Sequence, residues 1–272
     1  MLIDTHAHVN FVQYKDDGDE VVRRSLAEGT WLINVGSEKD TSRRAIEYAQ
    51  KYKEGVFAAV GLHPLHLRAQ EIEKKDNGET IKFTVPAEDF DEEYYANLAG
   101  QDRVVAIGEI GLDYYRNGAT KELQREVLLE QLSLAEKLKK PVMLHCREAH
   151  EDLLKTLKTW TLVGNKPLRG VLHSFSGTMA QAQQYLAMGF NLGFNGIITF
   201  ARDYDEVVRG MPLDKLLVET DCPYLTPTPF RGKRNEPSYV KYVAEKVAEL
   251  RGVSVAEVAE VTTDNARKLF KI

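Results

Sequence analysis

Leu2-Ile-Asp-Thr-His-Ala-His8 opens the chain with a short apolar run that ends in two histidines. In an extended segment side chains alternate between faces, so residues two apart share one, with Cα atoms about 6.5–7 Å apart. His6 and His8 are therefore placed to converge on one cation at about 2.0–2.1 Å each. Asp4 has the same parity one step deeper, a position from which a carboxylate orients an imidazole. Further along, Val104-Val-Ala-Ile-Gly runs into Glu109, Val142-Met-Leu into His145, Gly170-Val-Leu into His173 and Leu216-Leu-Val-Glu-Thr into Asp221.

Each of these runs reads as one strand of a set covering 2–6, 31–35, 56–61, 104–109, 141–145, 170–173, 190–194 and 216–220. Between them lie stretches of helical period. In 121–140, Leu123, Val127, Leu128, Leu134, Ala135 and Leu138 form one stripe. The stretch 178–188 ends at Gly189, a natural C′ residue, and Ser254-Val-Ala-Glu257 reads as a capping box. Eight strands alternating with helices predict a parallel sheet, and eight is the number that closes into a barrel. A doubly wound open sheet is the other topology this alternation allows. No linker, repeat or low-complexity tract divides 1–272, so a single domain is expected.

Parallel strands bring all six groups, His6, His8, Glu109, His145, His173 and Asp221, to one rim. Singly, each reads as well as a satisfied polar residue or the cap of the next helix. Jointly they exceed what one four-coordinate site uses, and two divalent cations sharing a carboxylate, with an open position for water, is the economical arrangement. His150 falls outside this scheme. Cys146 and Cys222 each follow a candidate ligand, so alternation turns them away as buried apolar residues.

Composition limits the rest. Of the 272 residues 43% are hydrophobic and 28% charged, which excludes disorder, collagen and a disulfide miniprotein. No apolar run approaches the roughly 20 residues of a membrane helix, and the start lacks the pattern of a signal peptide. Two cysteines point to a reducing, cytoplasmic setting. Nine acids against four bases in 66–96 account for the whole net charge of −5, leaving 32 of each sign elsewhere. Such a chain does not coat duplex DNA by charge, so any nucleic-acid activity needs local cations or bound metal. The acidic stretch breaks the rhythm after the third strand. Asp76-Asn77-Gly78 between two alternating segments predicts a hairpin with a type I′ turn, at the face where barrels keep their active sites.

Asp4-Thr-His-Ala-His8, Gly61-Leu-His-Pro64, Gly108-Glu-Ile-Gly-Leu-Asp-Tyr114, Val142-Met-Leu-His-Cys-Arg147, His173-Ser-Phe-Ser-Gly177, Glu219-Thr-Asp-Cys-Pro-Tyr-Leu-Thr-Pro227 and Arg231-Gly-Lys-Arg-Asn-Glu-Pro237 stand in one order from end to end. In these blocks the chain resembles the TatD-type metal-dependent deoxyribonucleases. The resemblance implies a distorted (β/α)8 TIM barrel of the metallo-dependent hydrolase type and hydrolysis of DNA phosphodiesters, of single strands or 3′ ends, without an obligate protein partner. It also implies that His6, His8 and Asp221 hold one metal and His145 and His173 the other. Glu109 would bridge them, and Asp221 would act as general base. The family is usually described as magnesium-dependent, whereas imidazole-rich ligation suits Zn or Mn. His63 is placed to touch a phosphate, and Arg147, Arg231 and Arg234 are the local cations for substrate. Tyr114, Tyr115 and Phe175 are expected to pack in the core, with stacking on an unpaired base as the alternative. The departure from the family is the acidic insertion, which leaves a small ester, amide, lactone or phosphoester as the alternative substrate. A binding scaffold with structural cations is the non-enzymatic reading, against which the open coordination positions argue.

Overall fold

The structure is a computed structural model that describes residues 1–76, 79–116 and 118–272, with the backbone alone over 70–84. In chain order its strands are β1 (Leu2–Ala7), β2 (Thr30–Val35), β3 (Val56–Val60), β4 (Gln70–Asp76), β5 (Glu79–Val85), β6 (Val104–Asp113), β7 (Val142–Arg147), β8 (Gly170–Leu172), β9 (Asn191–Phe194) and β10 (Leu216–Val218). β4 and β5 pair antiparallel as the expected hairpin, whose turn residues 77 and 78 lie outside the described residues. The other eight form one parallel sheet in the order β1-β2-β3-β6-β7-β8-β9-β10, a nearly closed TIM barrel and not the open alternative.

Parallel strands are covered on both faces, which is why these runs are continuously apolar. Ile3, Ile33, Ala59, Ala106, Met143, Val171 and Leu217, from seven of the strands, gather in one buried cluster with Ala266, Leu269 and Phe270 of the last helix. Each large side chain so buried contributes about 1.5–3 kcal/mol. The helices of the described residues are α1 (Gly18–Ala27), α2 (Lys39–Lys51), α3 (Glu92–Ala99), α4 (Lys121–Leu138), α5 (His150–Leu162), α6 (Met179–Ala187), α7 (Asp205–Gly210), α8 (Val240–Arg251) and this last one, α9 (Val255–Phe270), where Ser254 Oγ accepts from Glu257 N at 3.1 Å. Only this half of the expected capping box forms. Thr178 and Gln181 instead make a complete box at the start of α6 (Met179–Ala187).

The barrel closes along an irregular seam. Between β1 and β10 the ladder is reduced to one bridge, Ala7 with Cys222, beside bonds from Asp221 N to His6 O (2.8 Å) and His8 N to Cys222 O (2.9 Å). Below it side chains replace the ladder: Thr5 Oγ1 donates to Val218 O (3.2 Å), and the Asp4 carboxylate accepts from Thr220 N (2.9 Å) and Thr220 Oγ1 (2.5 Å).

β6 departs most from expectation, running to Asp113 rather than ending at Glu109, with its register against β7 shifting between Ile107 and Ile110. Gly111 permits this. Its φ is +148°, and a Cβ there would lie 2.0 Å from the His145 carbonyl oxygen, so only glycine lets β6 approach β7 so closely. Elsewhere the hairpin leaves and rejoins the barrel near the C-terminal end of β3, where His66 O accepts from Glu88 N at 2.7 Å. Among the described residues no helix is long and apolar enough to cross a membrane.

His150 starts α5 (His150–Leu162), 9% exposed, with Nδ1 3.1 Å from the Tyr185 hydroxyl and 3.3 Å from Cys146 Sγ. Burial pushes its pKa down to about 4. In the unfolded chain the ring takes up its proton near the ordinary value of about 6.5. As pH falls from there to 4 the unfolded state therefore binds more protons, and stability drops, by on the order of 3 kcal/mol at the acid end. Urea midpoints measured across this window should fall more steeply for the wild-type chain than for His150→Gln. Equal slopes would remove His150 from the acid response.

Candidate metal centre

The C-terminal ends of the strands carry the six predicted ligands and His63 into one buried cluster. Glu109 lies at its centre: Oε1 is 2.8 Å from His173 Nε2, 2.9 Å from His145 Nδ1 and 3.3 Å from His63 Nε2. Its Oε2 is 3.4 Å from His6 Nε2 and 3.8 Å from His8 Nε2. Asp221 Oδ1 completes the other side, 3.3 Å from His8 Nε2 and 4.0 Å from His6 Nε2. His6 and His8 meet at 3.1 Å, Nε2 to Nε2, and His145 Nδ1 and His173 Nε2 at 3.3 Å. The two-residue spacing of His6 and His8 brings both Nε2 atoms to one side of β1.

Further groups fix which ring nitrogen faces inward. His8 Nδ1 lies 2.9 Å from the Val35 carbonyl, which only accepts, so the proton sits there and Nε2 presents a lone pair. His145 is turned the other way, with Nε2 3.2 Å from Asp113 Oδ2 and Nδ1 facing Glu109. His173 Nδ1 points to Glu219 Oε1 at 3.6 Å, and that oxygen also accepts from Ser174 N at 2.6 Å. Asp113 and Glu219 were not anticipated as partners. Glu219 shares parity with Asp221, a signal available in the sequence, while Asp113 was hidden by ending the strand four residues early. Asp4, expected to orient an imidazole, instead binds the backbone N–H of His6 (3.1 Å) and the seam to Thr220. Burial drives its pKa well up against those hydrogen bonds.

His63 differs from the other rings. Its Nδ1 accepts from Leu65 N at 3.1 Å, so the neutral ring carries its proton on Nε2. Although Nε2 lies close to both Glu109 and His145, it is a donor toward the site and offers no lone pair.

Electrostatics describe a cluster that demands positive charge. Burial alone would raise the Glu109 pKa, but His173 and His63 and the hydrogen bonds from His145 and His173 outweigh it and hold the carboxyl well below the usual range. Burial would lower His173, and Glu109 overrides this to hold it well above its ordinary value. Asp221 is likewise held down, its desolvation outweighed by His8 and the neighbouring imidazoles. The ring nitrogens and oxygens can stand this close only with protons or a cation between them. Ligand atoms about 2.1 Å from a shared cation lie about 3.0–3.4 Å apart, close to most of the separations here. Among the described residues buried His6 Nδ1 and Glu219 Oε2 have no hydrogen-bond partner, which marks the pocket as polar beyond its own pairing needs. A donor set of four imidazoles and two carboxylates therefore fits divalent cations of the Zn or Mn kind.

A model of the TatD-related DNase family matches residues 3–271. The chain belongs to the TatD family. A Bacillus subtilis relative named uncharacterized metal-dependent hydrolase YabD is 42% identical over the whole of both chains. One from Erwinia tasmaniensis, named 3′-5′ ssDNA/RNA exonuclease TatD, is 34% identical over the whole of both. The crystal structure of the TatD homologue YJJV from Escherichia coli superposes with a TM-score of 0.82 at 30% identity, covering 100% of this chain and 98% of that one. The protein is thus a metal-dependent hydrolase of the TatD family.

Each of the three predicted substrate arginines of this TatD-family chain meets a partner that is not one of the six ligands. Arg147 lies over the Tyr115 ring at 3.7 Å and Arg231 over the Phe200 ring at 3.8 Å. Arg234 is bound to the Asp17 carboxylate and to Gln13 O, which directs it into the scaffold. Of the aromatics expected to pack, Phe175 is buried and Tyr114 is partly buried with its hydroxyl on Asp152, but Tyr115 is 56% exposed. It follows the end of β6 at the mouth, where loop side chains meet solvent.

Asp113 holds His145 in the tautomer that presents Nδ1. Asp113→Asn should weaken metal binding about 10–100-fold, read by competition with a coloured chelator. Unchanged affinity would leave Asp113 without this orienting role.

Proposed function

We propose that the protein is a divalent-metal-dependent nuclease that hydrolyses phosphodiester bonds of single-stranded DNA, attacking from 3′ ends. The observation that carries this reading is the cluster itself, four imidazoles and two carboxylates meeting in the mouth of a barrel of the TatD family. His6, His8 and Asp221 would hold one cation and His145 and His173 the other, with Glu109 between them. Two divalent cations, Mg, Mn or Zn, would lower the pKa of a water and offset charge on the phosphoryl oxygens.

The chain's own residues do the rest. Asp221, with a side chain 16% exposed and a lowered pKa, stays ionised at the solvent side and accepts the proton of the attacking water. His63 presents Nε2–H to a phosphoryl or leaving oxygen. Around the mouth Tyr115, Phe200 and Tyr224, after β6, β9 and β10, are 56%, 41% and 37% exposed. Arg147 and Arg231 lie over the first two rings. Such rings stack on unpaired bases, which duplex DNA keeps to itself. The Erwinia relative's name fits this substrate. Cys146 and Cys222, free and buried, fit a reducing cytoplasm.

Incubation with 3′-labelled single strands, duplex DNA and a small aryl ester, with and without chelator, tests the reading. Single strands should be degraded at least about tenfold faster than duplex, and only with metal. Turnover of the ester with none of DNA would replace the nuclease reading by that of a small-ester hydrolase.

A further inference from the structure

At the opposite end of the barrel from the metal centre, Trp31 of β2, the segments leading into β3, β6, β7 and β8 and the end of α9 line an open hollow of about 680 Å³. Small-molecule sites commonly fall between about 300 and 1,000 Å³. Its walls carry six cations, Lys53, Arg103, Lys139, Lys140, Arg169 and Lys271, against two carboxylates, Glu54 and Asp102. The chain as a whole carries −5, so this concentration of positive charge runs against its average and focuses a field on anions.

The cations are not neutralised in place. Among the described residues none of the six forms an ion pair. Arg103 donates to Lys53 O and Val56 O, Lys140 to Val104 O at 2.5 Å and Arg169 to Lys139 O at 3.1 Å, so backbone carbonyls fix these three. The ammonium groups of Lys53, Lys139 and Lys271 have no hydrogen-bond partner among the described residues. Burial lowers the Lys140 pKa, the mark of a charge partly stripped of water. The remaining wall is apolar, with the Trp31 and Phe57 rings 6.0 Å apart and tilted by 52° to one another, beside Phe270 and Pro141, and Arg267 stands over the Trp31 ring at 5.5 Å.

We propose that this cavity binds a nucleoside monophosphate, its base against Trp31 and Phe57 and its phosphate among the unpaired lysines. The six cations arrive from five separate segments around one hollow, which suits a compact ligand. The site is independent of the metal centre and of the reaction proposed there.

Titrating the whole protein with AMP in the presence of EDTA, by calorimetry and by tryptophan emission, tests this. Trp31 lines the cavity, while Trp160, the other tryptophan, is buried on α5. Saturable AMP binding is expected, at least tenfold tighter than adenosine or inorganic phosphate. Lys139→Glu combined with Lys271→Glu should weaken it at least tenfold without altering metal-supported hydrolysis, and Trp31→Phe should abolish the emission change. Absence of saturable AMP binding overturns the proposal, as does binding that survives the double charge reversal. Adenosine binding as tightly as AMP removes the phosphate from the recognition, and phosphate binding as tightly removes the base; either result overturns it. A single-stranded oligonucleotide binding in place of AMP assigns the face to a strand and overturns it too.

Discussion

Glu109→Gln leaves a folded barrel that has lost its turnover, by about 10³-fold or more. The side chain keeps its size, so packing around this 5%-exposed position is preserved. What disappears is the negative charge that both halves of the cluster share. One oxygen lies within 3.3 Å of His173, His145 and His63, the other within 3.8 Å of His6 and His8. A neutral amide turns two N–H donors toward rings that themselves present lone pairs or compete to donate. Elemental analysis should show fewer cations per chain, while circular dichroism and the melting temperature stay close to wild type. Turnover within tenfold of wild type, at full metal occupancy, would remove Glu109 from the centre of the chemistry.

Asp221→Asn should reduce kcat about 10²–10⁴-fold, the range for losing a proton acceptor, with KM little changed because the stacking rings and arginines remain. The backbone tolerates the change well. Asp221 has φ +55°, in the left-handed region that asparagine also adopts readily. Its N–H bond to His6 O is likewise untouched. The two variants differ in kind: the amide at 109 disturbs both cation positions, the amide at 221 only the one shared with His6 and His8. A smaller loss of metal than at 109, confined to one cation position, with activity lost, is the signature expected at 221. Full activity there assigns proton acceptance to another group.

Much of this was legible in the sequence because strand parity is a strong constraint. His6 and His8 had to share a face, and apolar runs ending in Glu109, His145, His173 and Asp221 had to reach one rim once the strands were parallel. Parity also covered Glu219, two residues from Asp221. It failed for Asp113, because the β6–β7 register slips between Ile107 and Ile110 and the strand runs on past Glu109. Nothing in a linear pattern announces that position 111 packs so close to β7 that a Cβ there would lie 2.0 Å from the His145 carbonyl oxygen. The pairing of Arg234 with Asp17 spans 217 positions and uses ordinary surface residue types, so its commitment to the scaffold was equally invisible. Asp4 was expected to orient an imidazole and does not contact one. Its partner is a backbone across the closure, and only three dimensions supply that.

The seam between β1 and β10 ties the cluster to the order in which the polypeptide is made. Asp4 and the Thr220 that grips it lie 216 positions apart, so His6 and His8 leave the ribosome long before Asp221. Until the last strand has been synthesised and has docked, the imidazole pair lacks its carboxylate and the cylinder has an open side. A chain made only as far as β9 therefore holds an incomplete metal centre, and the hydrolase stays unarmed until β10 has joined β1.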